Sequence, residues 1–165
     1  MDKYTWRDIG SSYLPSDILA AFLYAQLECR DHIQATRQRV WEYYYEHLHD
    51  WAGASGVGIP FVPSYCEQAY HMFYLLLPSL EKRTALITHL KSQGIHSVFH
   101  YLPLHLAPMG RNWGYQEGDL PVTEDVSDRL VRVPFYNTIQ ESEQERVCRA
   151  IREASRLGRL MDADE

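Results

Sequence analysis

The chain has 165 residues, of which 45% are hydrophobic, 23% charged and 13% aromatic, a balance that fits one globular domain with a sizeable core and excludes disorder as its main description. Sixteen Lys plus Arg against 22 Asp plus Glu leave a formal charge of −6, so no basic field exists to gather nucleic acid or anionic lipid. No apolar run reaches the roughly 18 to 20 residues of a membrane span, the N-terminus lacks the layout of a signal peptide, and the widely spaced Cys29, Cys66 and Cys148 signal neither a disulfide framework nor a zinc knuckle.

A reduced, cytoplasmic setting is therefore expected. Only three of the 16 basic residues are lysines, Lys3, Lys82 and Lys91. Chemistry that needs an activated lysine has few candidates here.

Residues 1–15 mix aromatic and turn residues and read as an irregular lead-in. From Ser16, a plausible N-cap, the pattern turns helical; Ile18, Leu19, Phe22, Leu23, Ala25 and Leu27 leave little polar face, which predicts a helix buried on several sides. Asp31 with Gln34 offers a capping-box pairing for a second, longer helix over residues 31–49, possible as a continuation of the first, and the glycine-rich residues 51–58 are expected to end it. Residues 59–63 lie between prolines and suit an edge strand or extended loop.

Residues 70–77 form the strongest strand pattern, closed by Pro78. Ser79 then caps a helix through Lys91 that stops at Gly94, residues 95–101 read as a second strand, and residues 109–120 read as a loop. Thr123 is placed as the cap of a short helix to Leu130, residues 131–135 as a third strand, and Ser142 with Glu145 as a capping box opening the last helix. Helices followed by alternating strands and helices predict an α+β or α/β two-layer domain. The expected organisation is a lead-in and active-site loop over 1–15, connecting helices over 16–51, a small α+β domain over 52–158 and a frayed tail over 159–165.

Among candidate chemical groups, His47, His49, His71, His89 and His96 lack metal-ligand spacing and read as surface or internally satisfied histidines. His100 and His105 carry more weight, because with Tyr101 they flank a proline turn at a predicted strand end, where small-molecule sites gather. Cys29 and Cys148 fall in apolar helical settings where thiols are usually inert. Cys66, in a loop, leaves open a small hydrolase with a cysteine nucleophile. No nucleophile elbow, P-loop, dinucleotide fingerprint or EF-hand pattern occurs.

Three stretches taken together resemble the DegT/StrS-type sugar aminotransferases, fold-type I enzymes that use pyridoxal phosphate. They are Gly10-Ser-Ser-Tyr-Leu-Pro-Ser-Asp17 with Ala20-Ala21 and Gln26-Leu27; Gly94-Ile95 with His100-Tyr101-Leu102-Pro103-Leu104-His105; and Val131-Arg132-Val133-Pro134-Phe135. In this sequence Ser12 stands where many members have Asn, and Leu14 where many have Arg.

The resemblance implies the C-terminal small domain of such an enzyme: an α+β unit with a small, mostly antiparallel sheet and packed helices, preceded by long connecting helices. It implies transfer of an amino group from L-glutamate to a keto sugar nucleotide. It further implies that Ser11, Ser12 and Tyr13 approach the cofactor phosphate, and that His100, Tyr101 and His105 line the sugar-nucleotide pocket. The family's Schiff-base lysine lies in an S-F-H-x-x-K pattern absent from these 165 residues. No catalytic residue and no metal ligand is therefore assigned, stable binding of pyridoxal phosphate by this chain alone is not expected, and the chain alone is expected to be inactive. Its partners by resemblance are the sugar nucleotide, L-glutamate, and a second copy or an N-terminal half; nucleic acid and membrane are not among them. The competing reading is a non-catalytic dimerisation or regulatory module.

Overall fold

The computed structural model describes residues 5–10 and 14–156. In chain order its elements are α1 (Asp17–Glu28), α2 (Arg30–Ala54), β1 (Tyr74–Leu76), α3 (Leu80–Ser92), a 3-10 turn (Leu104–Leu106), α4 (Pro108–Asn112), α5 (Pro121–Arg129), β2 (Leu130–Arg132) and α6 (Glu141–Arg156). The architecture is the expected α+β unit with a small antiparallel sheet.

β1 and β2 pair antiparallel with Leu75 opposite Val131. Both are fully buried, while their strand neighbours Tyr74, Leu76, Leu130 and Arg132 are half-buried. This period-two alternation turns Leu75 and Val131 into the core. Single bridges extend the sheet on either side, Gly58 to Leu76 and Val98 to Arg132.

The strands expected over 70–77 and 131–135 are therefore in the right places but too long, and the one expected over 95–101 does not form. Beyond Arg132, Val133 still donates to the Phe73 carbonyl at 3.2 Å, but Pro134 has no N–H to carry the ladder further. Upstream of β1 the chain turns at Tyr70, whose φ is 45°. Residues 95–101 contribute only the bridge at Val98. The antiparallel register would set His96 against Pro134, which has no N–H, and Tyr101 against Arg129, the last residue of α5, so pairing is limited at both ends.

The core is built where α2, α3 and α6 close over the sheet. Val40, Tyr44 and Leu48 of α2, Leu86 and Leu90 of α3, and Ile151 and Ala154 of α6 join Phe73, Leu75, Leu77 and Val131, all fully buried. Each such large side chain contributes about 1.5–3 kcal/mol by leaving water. Tyr44 also donates its hydroxyl to the Pro134 carbonyl at 2.8 Å, which satisfies the polar end of a buried ring. Gln144 does the same for α2, donating to the Val40 carbonyl at 2.8 Å.

Helix ends follow the sequence in part. Ser16 Oγ accepts from the Leu19 amide and Ser79 Oγ from the Lys82 amide, at 3.4 and 3.2 Å. Gly94, at φ 69°, ends α3 with Ile95 N–H returning to the Leu90 carbonyl at 2.9 Å and its own N–H to the Lys91 carbonyl at 3.0 Å, a paired closure that favours glycine.

Other boundaries differ from expectation. α2 starts at Arg30, and no Asp31–Gln34 box forms, because Asp31 bonds Arg30 while Gln34 donates to the Gln68 carbonyl at 3.0 Å. Only Cys29 interrupts the two helices. α2 runs on to Ala54 through its glycine, since Trp51 donates to Ser155 Oγ at 3.0 Å and Ala52 is buried. Part of the predicted loop 109–120 is helix α4, opened by Pro108, and α5 likewise begins at Pro121 rather than after Thr123. α6 begins at Glu141, and its box is Glu143 accepting from the Gln140 amide at 2.8 Å, not Ser142 with Glu145.

The largest departure is α1. None of its residues is buried; Ile18 is 82% and Phe22 69% exposed. Cys29, expected in an apolar setting, is exposed as well, whereas Cys148 is buried. Burial pushes the Cys148 thiol up to about 12.

Candidate functional site

The segment from the Val98 bridge through the 3-10 turn carries three of the residues picked out by sequence, and the structure separates them into two environments. His100 and Tyr101 stand together, their rings stacked at 4.2 Å between centroids, with a cis peptide between them. Arg132 of β2 donates from Nη1 to His100 Nδ1 at 2.8 Å. A guanidinium can only donate, so Nδ1 holds a lone pair and the neutral ring carries its proton on Nε2. Desolvation, together with the Arg132 charge, holds the His100 pKa below the ordinary histidine value.

Ser127 of α5 anchors the same loop by donating to the Tyr101 carbonyl at 2.5 Å. Between loop and helix lies a cleft of about 440 Å³, lined by His100, Tyr101, Pro103, Val126 and Ser127 among others. On the other side of the loop a cleft of about 460 Å³ is shared by His100 and Tyr101 with Ile87, Ser97 and Phe99. Above Phe99 lies the guanidinium of Arg83, 4.6 Å from the ring centroid.

His105 does not share these clefts. It is buried, and its Nε2 meets Glu124 Oε1 of α5 at 2.8 Å. The Glu124 carboxylate also accepts from the Gly118 amide at 3.0 Å and the Leu120 amide at 3.3 Å. The His105 hydrogen bond and then the Gly118 amide hold its pKa below the usual carboxylate range. His105 faces a third cleft, of about 350 Å³, that includes Trp6, Trp113 and Tyr115.

Ser11, Ser12 and Tyr13 lie outside the described residues. Of the other histidines, His89 is buried against the Ala150 carbonyl at 3.1 Å, and His47 stacks on Tyr43 at 3.9 Å. Among the described residues no three His, Cys, Asp or Glu side chains gather as a metal site. Cys66 is exposed and lines none of the three clefts around His100 and His105.

Pyridoxal phosphate needs a lysine as its covalent anchor. Lys82 lies on α3 and Lys91 near its end, and neither lines the three clefts. The described residues therefore do not build a complete site for that cofactor. Sequence reasoning missed the groups that hold the loop: Arg132, Glu124 and Ser127. Each is a polar residue in or beside an element whose partner is far along the chain, and no local motif marks it.

Residues 1–152 match the DegT/DnrJ/EryC1/StrS aminotransferase family. A transaminase of Streptomyces venezuelae described as dTDP-3-amino-3,4,6-trideoxy-alpha-D-glucose transaminase is 28% identical over 92% of this chain and 38% of its own length. The uncharacterized protein MJ1066 of Methanocaldococcus jannaschii is 28% identical over 90% of this chain and 39% of its own length. The solved structure of S. venezuelae DesV superposes with a TM-score of 0.76 at 27% identity, covering 92% of this chain and 40% of that one. The chain thus spans about 40% of the length of the relatives it matches. With a match that runs across nearly all its residues, the chain belongs to the DegT/DnrJ/EryC1/StrS aminotransferase family.

Proposed function

We propose that these residues form the sugar-nucleotide-facing, C-terminal share of a pyridoxal-phosphate-dependent sugar aminotransferase in the cytoplasm. His100 and Tyr101 face the sugar nucleotide, and the lysine that anchors the cofactor comes from other residues. The observation that carries this reading is the His100–Tyr101 pair, stacked, tied to Arg132 and Ser127, and set on a cleft large enough for a small molecule, in a chain of this family.

The Arg132 bond orients the neutral His100 with an N–H on Nε2, a donor suited to sugar hydroxyl or phosphate oxygens. Tyr101 adds a flat apolar face and a hydroxyl. Ser11, Ser12 and Tyr13 are proposed to approach the cofactor phosphate, since hydroxyls donate well to phosphate oxygens. When bound, the cofactor supplies the electron sink for amino transfer. The organisation proposed is an active-site loop over 1–15, connecting helices over 16–51 and the α+β unit over 52–158.

The substrate proposed is dTDP-4-keto-6-deoxy-D-glucose with L-glutamate as amino donor. Its support is the wording Gly10-Ser-Ser-Tyr-Leu-Pro-Ser16, which resembles the enterobacterial dTDP-4-amino-4,6-dideoxygalactose transaminase of common-antigen biosynthesis. The test is borohydride reduction of the 165-residue chain with pyridoxal phosphate, read by peptide mass spectrometry. Only trace, scattered lysine modification is expected; a stoichiometric adduct at one lysine with amino transfer to the keto sugar would overturn the division of labour.

A second reading, a dimerisation or regulatory module, is favoured by one observation, the wholly exposed apolar face of α1. Sedimentation decides it: a discrete dimer supports the module, and a monomer or polydisperse association removes it.

A further inference from the structure

The cleft around His105 is separate from the one assigned above and has a different chemistry. Trp6, Trp113 and Tyr115 supply aromatic surface, Leu104 and Leu120 complete the apolar wall, and His105 brings the imidazole among its lining residues. Its volume, about 350 Å³, lies at the small end of ligand pockets, which combine apolar walls with a few fixed polar groups. Trp113 is 69% and Tyr115 50% exposed, a costly display of aromatic surface if nothing covers it.

The polar group is held in place from behind. His105 has a side chain only 4% exposed, and its Nε2 is committed to Glu124 at 2.8 Å. Glu124 is itself fixed by the Gly118 and Leu120 amides. With Nε2–H given to the carboxylate, Nδ1 is the ring nitrogen left to meet a ligand, an acceptor whenever the ring is neutral, and no described residue donates to it.

The backbone under the ring is equally constrained. A Cβ on Gly110 would lie 2.7 Å from His105 Cα and closer still to the Leu104 carbonyl, so only glycine lets α4 sit on the 3-10 turn. The Met109 amide donates to the Trp6 carbonyl at 3.2 Å, which brings the lead-in to the same place.

We propose that this cleft is a subsite for a pyrimidine base: a flat ring laid against Trp6, Trp113 and Tyr115, with its imide N–H donated to His105 Nδ1. The inference rests on the sugar-nucleotide reading and deepens it, because it assigns the base to the His105 cleft and leaves the sugar to the neighbouring His100–Tyr101 cleft. The two clefts share Leu104. Aromatic stacking holds a base without a base-specific contact. The His105 acceptor adds selection for a ring bearing N–H over one bearing N–CH₃.

The test is a 15N-NMR titration of the 165-residue chain with thymidine diphosphate, N3-methylthymidine diphosphate and inorganic pyrophosphate, following indole and backbone signals. Thymidine diphosphate is expected to shift the Trp6 and Trp113 indole signals saturably. The N3-methyl analogue should bind about tenfold more weakly, and pyrophosphate should leave the indoles unmoved. Trp113→Ala, an exposed substitution compatible with folding, should weaken binding several-fold, with Phe at the same position restoring most of it.

If thymidine diphosphate moves only residues around His100, Tyr101 and Ser127, the base assignment is wrong and the sugar-nucleotide reading stands. If the indoles respond equally to pyrophosphate, or equally to both nucleosides, the His105 contact is overturned. If no signal moves at millimolar nucleotide, the base assignment and the sugar-nucleotide reading fail together.

Discussion

α1 and α2 are consecutive helices separated by one residue, and they have opposite fates. α1 is the more apolar of the two, with nine of its 12 residues drawn from Ile, Leu, Ala, Phe and Tyr, yet it buries nothing. α2 carries arginines, glutamates and histidines along most of its 25 residues and still places Val40, Trp41, Tyr44, Leu48 and Ala52 in the core. Total apolarity marks a helix that wants cover; spacing marks which face is covered, and by what. α2 repeats its apolar residues at three and four positions and finds α6 and the sheet there. α1 is apolar nearly all round, and nothing among the described residues packs over it.

That contrast can be broken by substitution. Leu48→Ala in α2 should cost about 2–5 kcal/mol, read as a lower urea midpoint. Phe22→Ala in α1 should stay within about 0.5 kcal/mol, as for any side chain that makes no packed contact. A large loss at Phe22 in the isolated chain would mean that α1 is already covered. Thiol labelling offers an independent view: Cys29 and Cys66 should react in the native state, and Cys148 only on unfolding, because it is buried and its thiol is pushed up to about 12.

Smaller effects sharpen the packed side of the comparison. Tyr44→Phe should cost about 1–2 kcal/mol, since the Pro134 carbonyl loses its buried donor while the ring stays in place. The smallest effect expected is at His100. Its folded pKa is lowered, so below the ordinary histidine value, near 6.5, the unfolded chain binds more protons than the folded one. Stability should therefore rise with pH through the window just under that value and level off above it. Arg132→Gln should move the His100 midpoint upward in an NMR titration and flatten that rise, because it removes the nearby positive charge.

What was legible in the sequence follows the same physics. The α+β order, the Ser16 and Ser79 caps, the Gly94 stop and the positions of β1 and β2 were all local signals, and each was found where expected. Strand lengths were not legible, because the limit on residues 95–101 is set by Pro134 across the sheet. Burial of α1 was misjudged because apolarity was read without knowing what packs on it. At the site, His100 and Tyr101 were found from their proline-punctuated loop. The separation of His105 from them depends on Glu124, 19 positions away, and the state of His100 on Arg132, 32 away; no local pattern encodes either pairing.

The central claim is that the His100–Tyr101 loop is the chain's sugar-nucleotide face. Its most direct test is an imidazole NMR titration with a dTDP-hexose. The claim predicts that the His100 ring signals shift saturably while those of His47 and His49, on α2, stay still, and that His100→Ala abolishes the response at Tyr101 and Ser127. Saturable binding that leaves His100, Tyr101 and Ser127 unmoved, or that survives His100→Ala unchanged, would contradict it.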